Sequence, residues 1–244
     1  MIELNHISKI FYPKKYKSQG YKSLDDINLE ILPGQIVGLI GLNGAGKTTL
    51  LKLIAGLYKP TYGEISIKVS YVKDYRVSML SSEQGLYNHL SVKQLVDYFG
   101  TLQNKDFSYQ DNDTKILIDY LKIESVFDKQ ISTLSSGWRQ KVLILLSFIN
   151  NPDIILLDEP SNYLDFQGQK QLNTLIIEAK KRNKYIVYAS HNLFEIERIA
   201  DSIIFIHQGR VIFYKDKAKL YQEEKINNPE TTLIDIIKRQ VPDV

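Results

Sequence analysis

Residues 36–49 (Ile-Val-Gly-Leu-Ile-Gly-Leu-Asn-Gly-Ala-Gly-Lys-Thr-Thr) constrain this chain more than any other stretch. The apolar run from Ile36 to Ile40 reads as a buried strand. It breaks into three glycines, Gly41, Gly44 and Gly46, followed by Lys47, Thr48 and Thr49; Leu50 to Leu57 then has helical texture. Strand, glycine-rich turn and helix together turn the pattern G-x-x-x-x-G-K-[ST] into a phosphate cradle. A helix start leaves four backbone N–H groups without partners, and the helix dipole adds partial positive charge there. Glycines let the backbone curl around an anion without Cβ clashes. Lys47 would add a full charge toward β- and γ-phosphates, the Thr48 hydroxyl suits Mg²⁺, and Thr49 reaches toward an α-phosphate. The rival reading is a coincidental glycine turn before a helix, and the flanking strand and helix count against it.

A chain of 244 residues makes one large domain or two small ones. The net charge of +3 is spread along the chain and does not call for nucleic acid. There is no cysteine, which excludes disulfide, zinc-finger and thiol chemistry. No apolar run approaches the ~20 residues of a membrane span. The start, Met-Ile-Glu-Leu-Asn-His, lacks the basic-then-apolar order of a signal peptide, so a cytosolic location is expected.

Along the chain, residues 2–11 alternate as a strand, and 12–23, with Pro13, Gly20 and Lys14, Lys15, Lys17 and Lys22, read as a solvated loop. Leu24 to Leu32 alternates again, and Pro33-Gly34 turns into the strand at 36–40. Glu64 to Val72 reads as a strand and 73–90 as irregular. Helices are expected over 92–102 with Ser91 as N-cap, about 114–122, and from Ser136 to about Asn150. Residues 153–158 form a short continuous apolar run suited to a strand buried on both faces. A helix at about 166–182, a strand at 185–190 and a helix at 193–200 follow. Strands 202–207 and 210–214 flank a Gln208-Gly209 hairpin signal, and 216–240 is polar and mostly helical. Strands alternating with helices around such a loop imply a parallel α/β sheet with phosphates at its carboxyl edge.

Three further groups carry chemistry. Asp158-Glu159 closes the apolar run at 154–157, where burying unpartnered charge is costly. Asp158 can join Thr48 around Mg²⁺, and Glu159, one residue on, is placed to polarise an attacking water as a general base. Leu134-Ser135-Ser136-Gly137-Trp138 opens the 136–150 helix: Ser135 or Ser136 is an N-cap, and the same helix start is a second anion site. His191 follows the strand 185–190 on the same edge as the glycine loop and the acids, a position from which a ring N–H can be directed at a γ-phosphate. His6, His89 and His207 lack metal-ligand spacing.

These motifs, in this order, resemble the nucleotide-binding domain of ABC transporters over about residues 2–215. Gly41-Leu42-Asn43-Gly44-Ala45-Gly46-Lys47-Thr48 is similar to Walker A, Leu134 to Trp138 to the signature, and Ile154 to Glu159 to Walker B. Ser161 to Asp165 looks like the D-loop and His191 like the switch histidine. The resemblance implies an α/β P-loop NTPase of ABC type: a mixed sheet core, an antiparallel β subdomain, and a helical subdomain inserted at about 88–150. It implies an ATP-binding domain over 1–215 and a short helical extension over 216–244. It implies ATP and Mg²⁺ as ligands, with Leu42, Asn43, Ala45 and Thr49 among the ATP contacts. It implies a head-to-tail pair, either two copies or this chain with a paralogue, in which Ser135 and the N–H of Gly137 contact the γ-phosphate in trans. Phe11, with Tyr12 as alternate, would stack on adenine.

The chain departs from the family pattern in places. Ser82, followed by Glu83-Gln84, stands where a magnesium-contacting glutamine is usual; either Ser82 acts through a water or Gln84 substitutes. Ser136 replaces a common glycine and Trp138 a common glutamine, while Ser135 and Gly137 are intact. Residues 83–92 and the tail at 232–237 look like those of small exporter ATPases whose permease is a separate polypeptide. The expectation is an ATP-hydrolysing exporter subunit at the inner face of the cell membrane, with Leu86, Tyr87, Leu90 and Tyr98 as candidate permease contacts. The rivals are a soluble ABC ATPase serving a non-membrane partner and a regulatory subunit without useful turnover.

Overall fold

The computed structural model describes residues 1–12, 20–69, 74–81, 86–103, 109–225 and 232–241. Its centre is a six-stranded sheet of β3 (Gln35–Ile40), β5 (Val77–Leu80), β6 (Ile154–Asp158), β7 (Tyr185–Ser190), β8 (Ser202–His207) and β9 (Arg210–Asp216). Their order is β5-β6-β7-β3-β8-β9, parallel except for the antiparallel β8–β9 pair. Every residue of β6 and β7 is buried, which is why both runs are apolar without alternation. Gln208 and Gly209 both have positive φ, the twist that a two-residue hairpin needs.

A second, antiparallel sheet of β1 (Ile2–Phe11), β2 (Tyr21–Ile31) and β4 (Tyr62–Ile67) has the order β2-β1-β4. Leu24, Ile27, Leu29 and Ile31 of β2 turn inward while Asn28 and Glu30 stay exposed. The helix α1 (Lys47–Ile54) lies between the two sheets, with Leu50, Leu51, Leu53 and Ile54 in one core with Ile2, Leu29, Val37 and Ile206. The other face of the large sheet is covered by α2 (Val92–Gln103), α3 (Asn112–Leu121), α4 (Ser136–Phe148), α5 (Phe166–Lys181) and α6 (Leu193–Ile199). Ser91 caps α2 as expected: its Oγ accepts from Gln94 N–H at 3.2 Å, and Gln94 Oε1 accepts from Ser91 N–H at 2.9 Å. Among the described residues no helix is long and apolar enough to cross a membrane.

Several sequence expectations are corrected. The stretch 73–90, read as irregular, contains β5, whose four residues are too few to show a period; its register with β6, Val77 on Ile154 through Leu80 on Leu157, defines it. The expected loop 12–23 ends earlier, because Tyr21 pairs with Phe11 and begins β2. Lys14, Lys15 and Lys17 lie outside the described residues. The strand expected to reach Val72 stops at Ile67. The tail, read as polar and mostly helical, does hold α7 (Lys217–Lys225) and α8 (Leu233–Gln240), but it is not polar throughout: Leu233, Ile236 and Ile237 of α8 are buried in the core.

Candidate functional site

β3 runs into the glycine loop at the carboxyl edge of the sheet, and the loop feeds directly into α1. Gly46 is the residue before α1 and has φ +110°, a conformation that side chains rarely adopt. At Gly41 a Cβ would stand 2.4 Å from the Ile206 carbonyl oxygen, so the loop can close only over glycine there. Lys47 is 7% exposed; its Nζ donates to Gly41 O at 2.6 Å and Leu42 O at 3.4 Å and lies 3.9 Å from Glu159 Oε1. Burial pushes the Lys47 ammonium below its ordinary value, and the charges of Glu159 and Asp158 partly offset that.

Thr48 Oγ1 donates to Asp158 Oδ2 at 2.6 Å. Thr49 Oγ1 is 2.8 Å from Ser23 Oγ on β2. Phe11, Tyr21, Ser23, Asn43, Gly44, Lys47, Thr48, Asp158 and Glu159 line one cleft of about 390 Å³, together with Leu42, Gly46 and Thr49. A larger cavity of about 740 Å³ lies between α3 and α5 and contains none of these groups.

Asp158 is the last residue of β6 and pairs in register with Ala189. Glu159 follows with φ +51°, its N–H donating to Ala189 O at 2.9 Å. Its Oε1 accepts from the His191 N–H at 2.9 Å and faces His191 Nδ1 at 2.9 Å. Its Oε2 accepts from Ser190 Oγ at 3.3 Å. The ring contact of His191 is thus the neighbouring carboxylate, with the ring itself 56% exposed.

Ser135 is the N-cap of α4, in extended conformation, and its Oγ accepts from Trp138 N–H at 3.4 Å. Neither Ser135 nor Gly137 lines the cleft of its own chain. A Cβ on Gly137 would sit 3.1 Å from Tyr163 O, so the start of α4 abuts the loop that follows Glu159. Phe11 reaches the cleft, but its ring packs edge-on against Tyr58, centroids 5.4 Å apart, under the Lys9 ammonium. Tyr12, the alternate, is exposed and outside the cleft lining. Ser82, Glu83 and Gln84 lie outside the described residues.

Sequence reasoning missed Tyr21 and Ser23, which reach the cleft through the β1–β2 register rather than through any local pattern. It also missed Gln140, whose buried Nε2 donates to Pro160 O at 2.8 Å and ties α4 to the end of β6. Among the described residues no group of three or more His, Cys, Asp and Glu is assembled for a metal ion. Thr48 and Asp158 offer two adjacent oxygens, a set that fits Mg²⁺ if phosphate oxygens and water supply the rest.

A central parallel strand entering a glycine loop with a lysine and two threonines, one strand removed from a parallel strand that runs into two carboxylates, defines a P-loop nucleoside triphosphatase. Residues 24–162 match the family described as ABC transporter, and the chain belongs to that family as an ATP-binding, ATP-hydrolysing subunit. It is 34% identical over 236 residues to the ABC transporter ATP-binding protein NatA of Bacillus subtilis (strain 168), covering 92% of this chain and 93% of NatA. It is 27% identical over 224 residues to the teichoic acids export ATP-binding protein TagH of Shouchella clausii, covering 89% of this chain and 59% of TagH. In fold it is similar to a dimeric ATP-binding cassette in a post-hydrolysis state bound to ADP and Pi, with TM-score 0.77 and 24% identity, covering 88% of this chain and 98% of that one.

Proposed function

We propose that this chain is the energising subunit of an exporter and that it drives a separate membrane permease by ATP-dependent dimer closure. The observation that carries the reading is the Glu159 carboxylate, held by Ser190 and His191 in the cleft that Lys47 also lines, with Lys47 Nζ 3.9 Å from its Oε1. Residues 1–215 act as the ATP-binding domain, 88–150 as its inserted helical part, and 216–244 as an extension. Backbone N–H groups of 41–49 cradle the phosphates, Lys47 neutralises them, and Phe11 meets the base together with Tyr21. Thr48 and Asp158 would hold Mg²⁺, which when bound draws charge from the β- and γ-phosphates. Glu159 takes a proton from the attacking water, and His191 keeps that carboxylate aimed.

Ser135 and Gly137 lie apart from the cleft of their own chain, so a second copy or a paralogous subunit completes the site in trans. The dimeric similar cassette supports this pairing. Docking on the permease uses the groove of about 210 Å³ lined by Leu57, Val77, Met79, Leu86, Phe99 and Leu143, with Tyr87 and Tyr98 exposed beside it and Leu90 packed behind. The export direction is supported by the relative named for teichoic acid export. In this reading the subunit sits at the inner face of the cell membrane through its permease alone. Glu159→Gln should abolish hydrolysis and, with ATP, elute as a dimer in gel filtration; hydrolysis at the wild-type rate would sink the catalytic assignment. Affinity purification from detergent-extracted membranes should recover a multi-span protein, and recovery of none would sink the permease reading.

A further inference from the structure

Four side chains converge on Glu195, a residue of α6 outside the cleft lining. Its Oε2 accepts from Ser161 Oγ at 2.6 Å, from Tyr188 Oη at 3.1 Å and faces Ser190 Oγ at 3.3 Å. Its Oε1 accepts from Asn192 Nδ2 at 3.2 Å. Ser161 belongs to the loop after β6, Tyr188 and Ser190 to β7, and Asn192 is the N-cap of α6. One carboxylate therefore gathers the three segments that surround Glu159.

Ser190 is fully buried and its hydroxyl carries one proton. That hydroxyl stands 3.3 Å from Oε2 of Glu195 and 3.3 Å from Oε2 of Glu159, so it can donate to only one of them at a time. The Glu195 oxygen already has two donors, Ser161 and Tyr188, which use both of its lone pairs. Tyr188 stays a donor, because burial, reinforced by the Glu195 charge, raises its phenol well above its ordinary value. With that oxygen filled, the Ser190 proton is left for Glu159. Asn192 N–H donates to Ser190 Oγ at 3.0 Å and holds the hydroxyl oxygen in place.

We propose that Glu195 is a positioning residue for ATP hydrolysis: it saturates Ser161 and Tyr188 and anchors Asn192, so that Ser190 donates to Glu159 and the His191 turn keeps its N–H on the same carboxylate. This rests on the reading of Glu159 as the group that polarises water. Glu195 touches neither the cleft nor a substrate there, so its loss acts on turnover rather than on nucleotide affinity.

The test is steady-state hydrolysis of Mg-ATP by the full chain. Glu195→Ala should lower kcat by about 10- to 100-fold, the range for partners that orient a reacting group, with KM changed by less than about twofold. Glu195→Gln keeps an acceptor oxygen for Ser161 and Tyr188 and should recover to within about fivefold of wild type. Adding Ser190→Ala to Glu195→Ala should give little further loss, because the two side chains act in series on one carboxylate. A merely structural role would lower thermal stability and leave these rate patterns unchanged. Wild-type kcat in Glu195→Ala, or losses that multiply in the double variant, would overturn the proposal. If Glu195→Ala does not fold, Ser190→Ala carries the test alone and must show the same fall in kcat. Glu159→Gln separates the two readings: if it is inactive while Glu195→Ala and Ser190→Ala are normal, only the Glu195 proposal fails; if it hydrolyses normally, the catalytic reading fails as well.

Discussion

Thr48 Oγ1 donates to Asp158 Oδ2 across 2.6 Å and joins the first turn of α1 to the last residue of β6, 110 residues away in the chain. The carboxylate is 4% exposed, so its charge faces the cleft edge rather than bulk water. A hard cation is the partner such an oxygen pair suits. Asp158→Asn preserves size and the contact with Thr48 but lowers the charge at the pair. Hydrolysis should fall by at least about 100-fold, as expected for loss of a metal-holding carboxylate. Titration calorimetry should find ATP affinity almost the same with magnesium as with a chelator; a wild-type gain from magnesium would remove Asp158 from the metal site.

Lys47 makes a pH prediction with a definite sign. Burial lowers its folded-state value below 10.5, so the charged form is disfavoured in the ligand-free fold. Between that lowered value and 10.5, the unfolded chain still holds a proton that the folded chain has released. The contribution of this residue to stability therefore rises with pH across that window and levels off above it. Lys47→Met removes the charge and keeps the length. Near neutral pH the ligand-free variant should match wild type or exceed it by up to about 1 kcal/mol. The wild-type-minus-variant difference should then move toward wild type on the alkaline side. Denaturant melts over a pH series check this, and added ATP should stabilise wild type alone.

What was legible in the chain divides along a physical line. Gly41 to Thr49 and Asp158-Glu159 could be read because each set is local: one turn, or one strand end, carries all the atoms that matter. Ser91 could be read as a cap for the same reason. Tyr21 could not, because its place in the cleft depends on pairing with Phe11 across a long connection. Ser190 reaches Glu159 through the β6–β7 register, and Glu195 reaches Ser190 through the pitch of α6, neither of which leaves a spacing in sequence. β5 was too short to show a period, and the apolar side of α8 was diluted by the charged residues around it.

Ser135 has a role visible within the chain and a second one proposed across the dimer. The cap on Trp138 N–H stabilises α4, and its loss in Ser135→Ala should cost about 1 kcal/mol. Ser135→Asp separates the roles. Aspartate caps a helix as well as serine does and favours the N-terminal dipole, so the folded monomer should melt at or slightly above the wild-type temperature. A carboxylate there would repel a γ-phosphate offered by a second copy, so ATP-driven dimerisation should be lost. Gel filtration of a Glu159→Gln background, with and without Ser135→Asp, reads this. Dimers that persist in the double variant would place the γ-phosphate elsewhere.

The tail is the last place where fold and function meet. Thr232 and Asp235 form a reciprocal cap on α8: Thr232 Oγ1 accepts from Asp235 N–H at 3.3 Å, and Asp235 Oδ2 accepts from Thr232 N–H at 2.8 Å. Beyond the cap, Leu233, Ile236 and Ile237 are 0%, 1% and 2% exposed, the i, i+3, i+4 side of a helix laid against α6. Lys217 of α7 adds a hydrogen bond from Nζ to Glu197 O of α6 at 2.6 Å. Since α6 begins two residues after His191, the tail braces the helix that carries Glu195 and follows the His191 turn. Ile236→Ala opens a cavity in that packing and should cost about 2–4 kcal/mol. Lys238→Ala, on the exposed side of the same helix, should stay within about 0.5 kcal/mol. Thermal and urea unfolding of the two variants decide the matter. A loss under about 1 kcal/mol for Ile236→Ala, well below the range for a buried aliphatic side chain, would mean that α8 rests on the domain without contributing to its core.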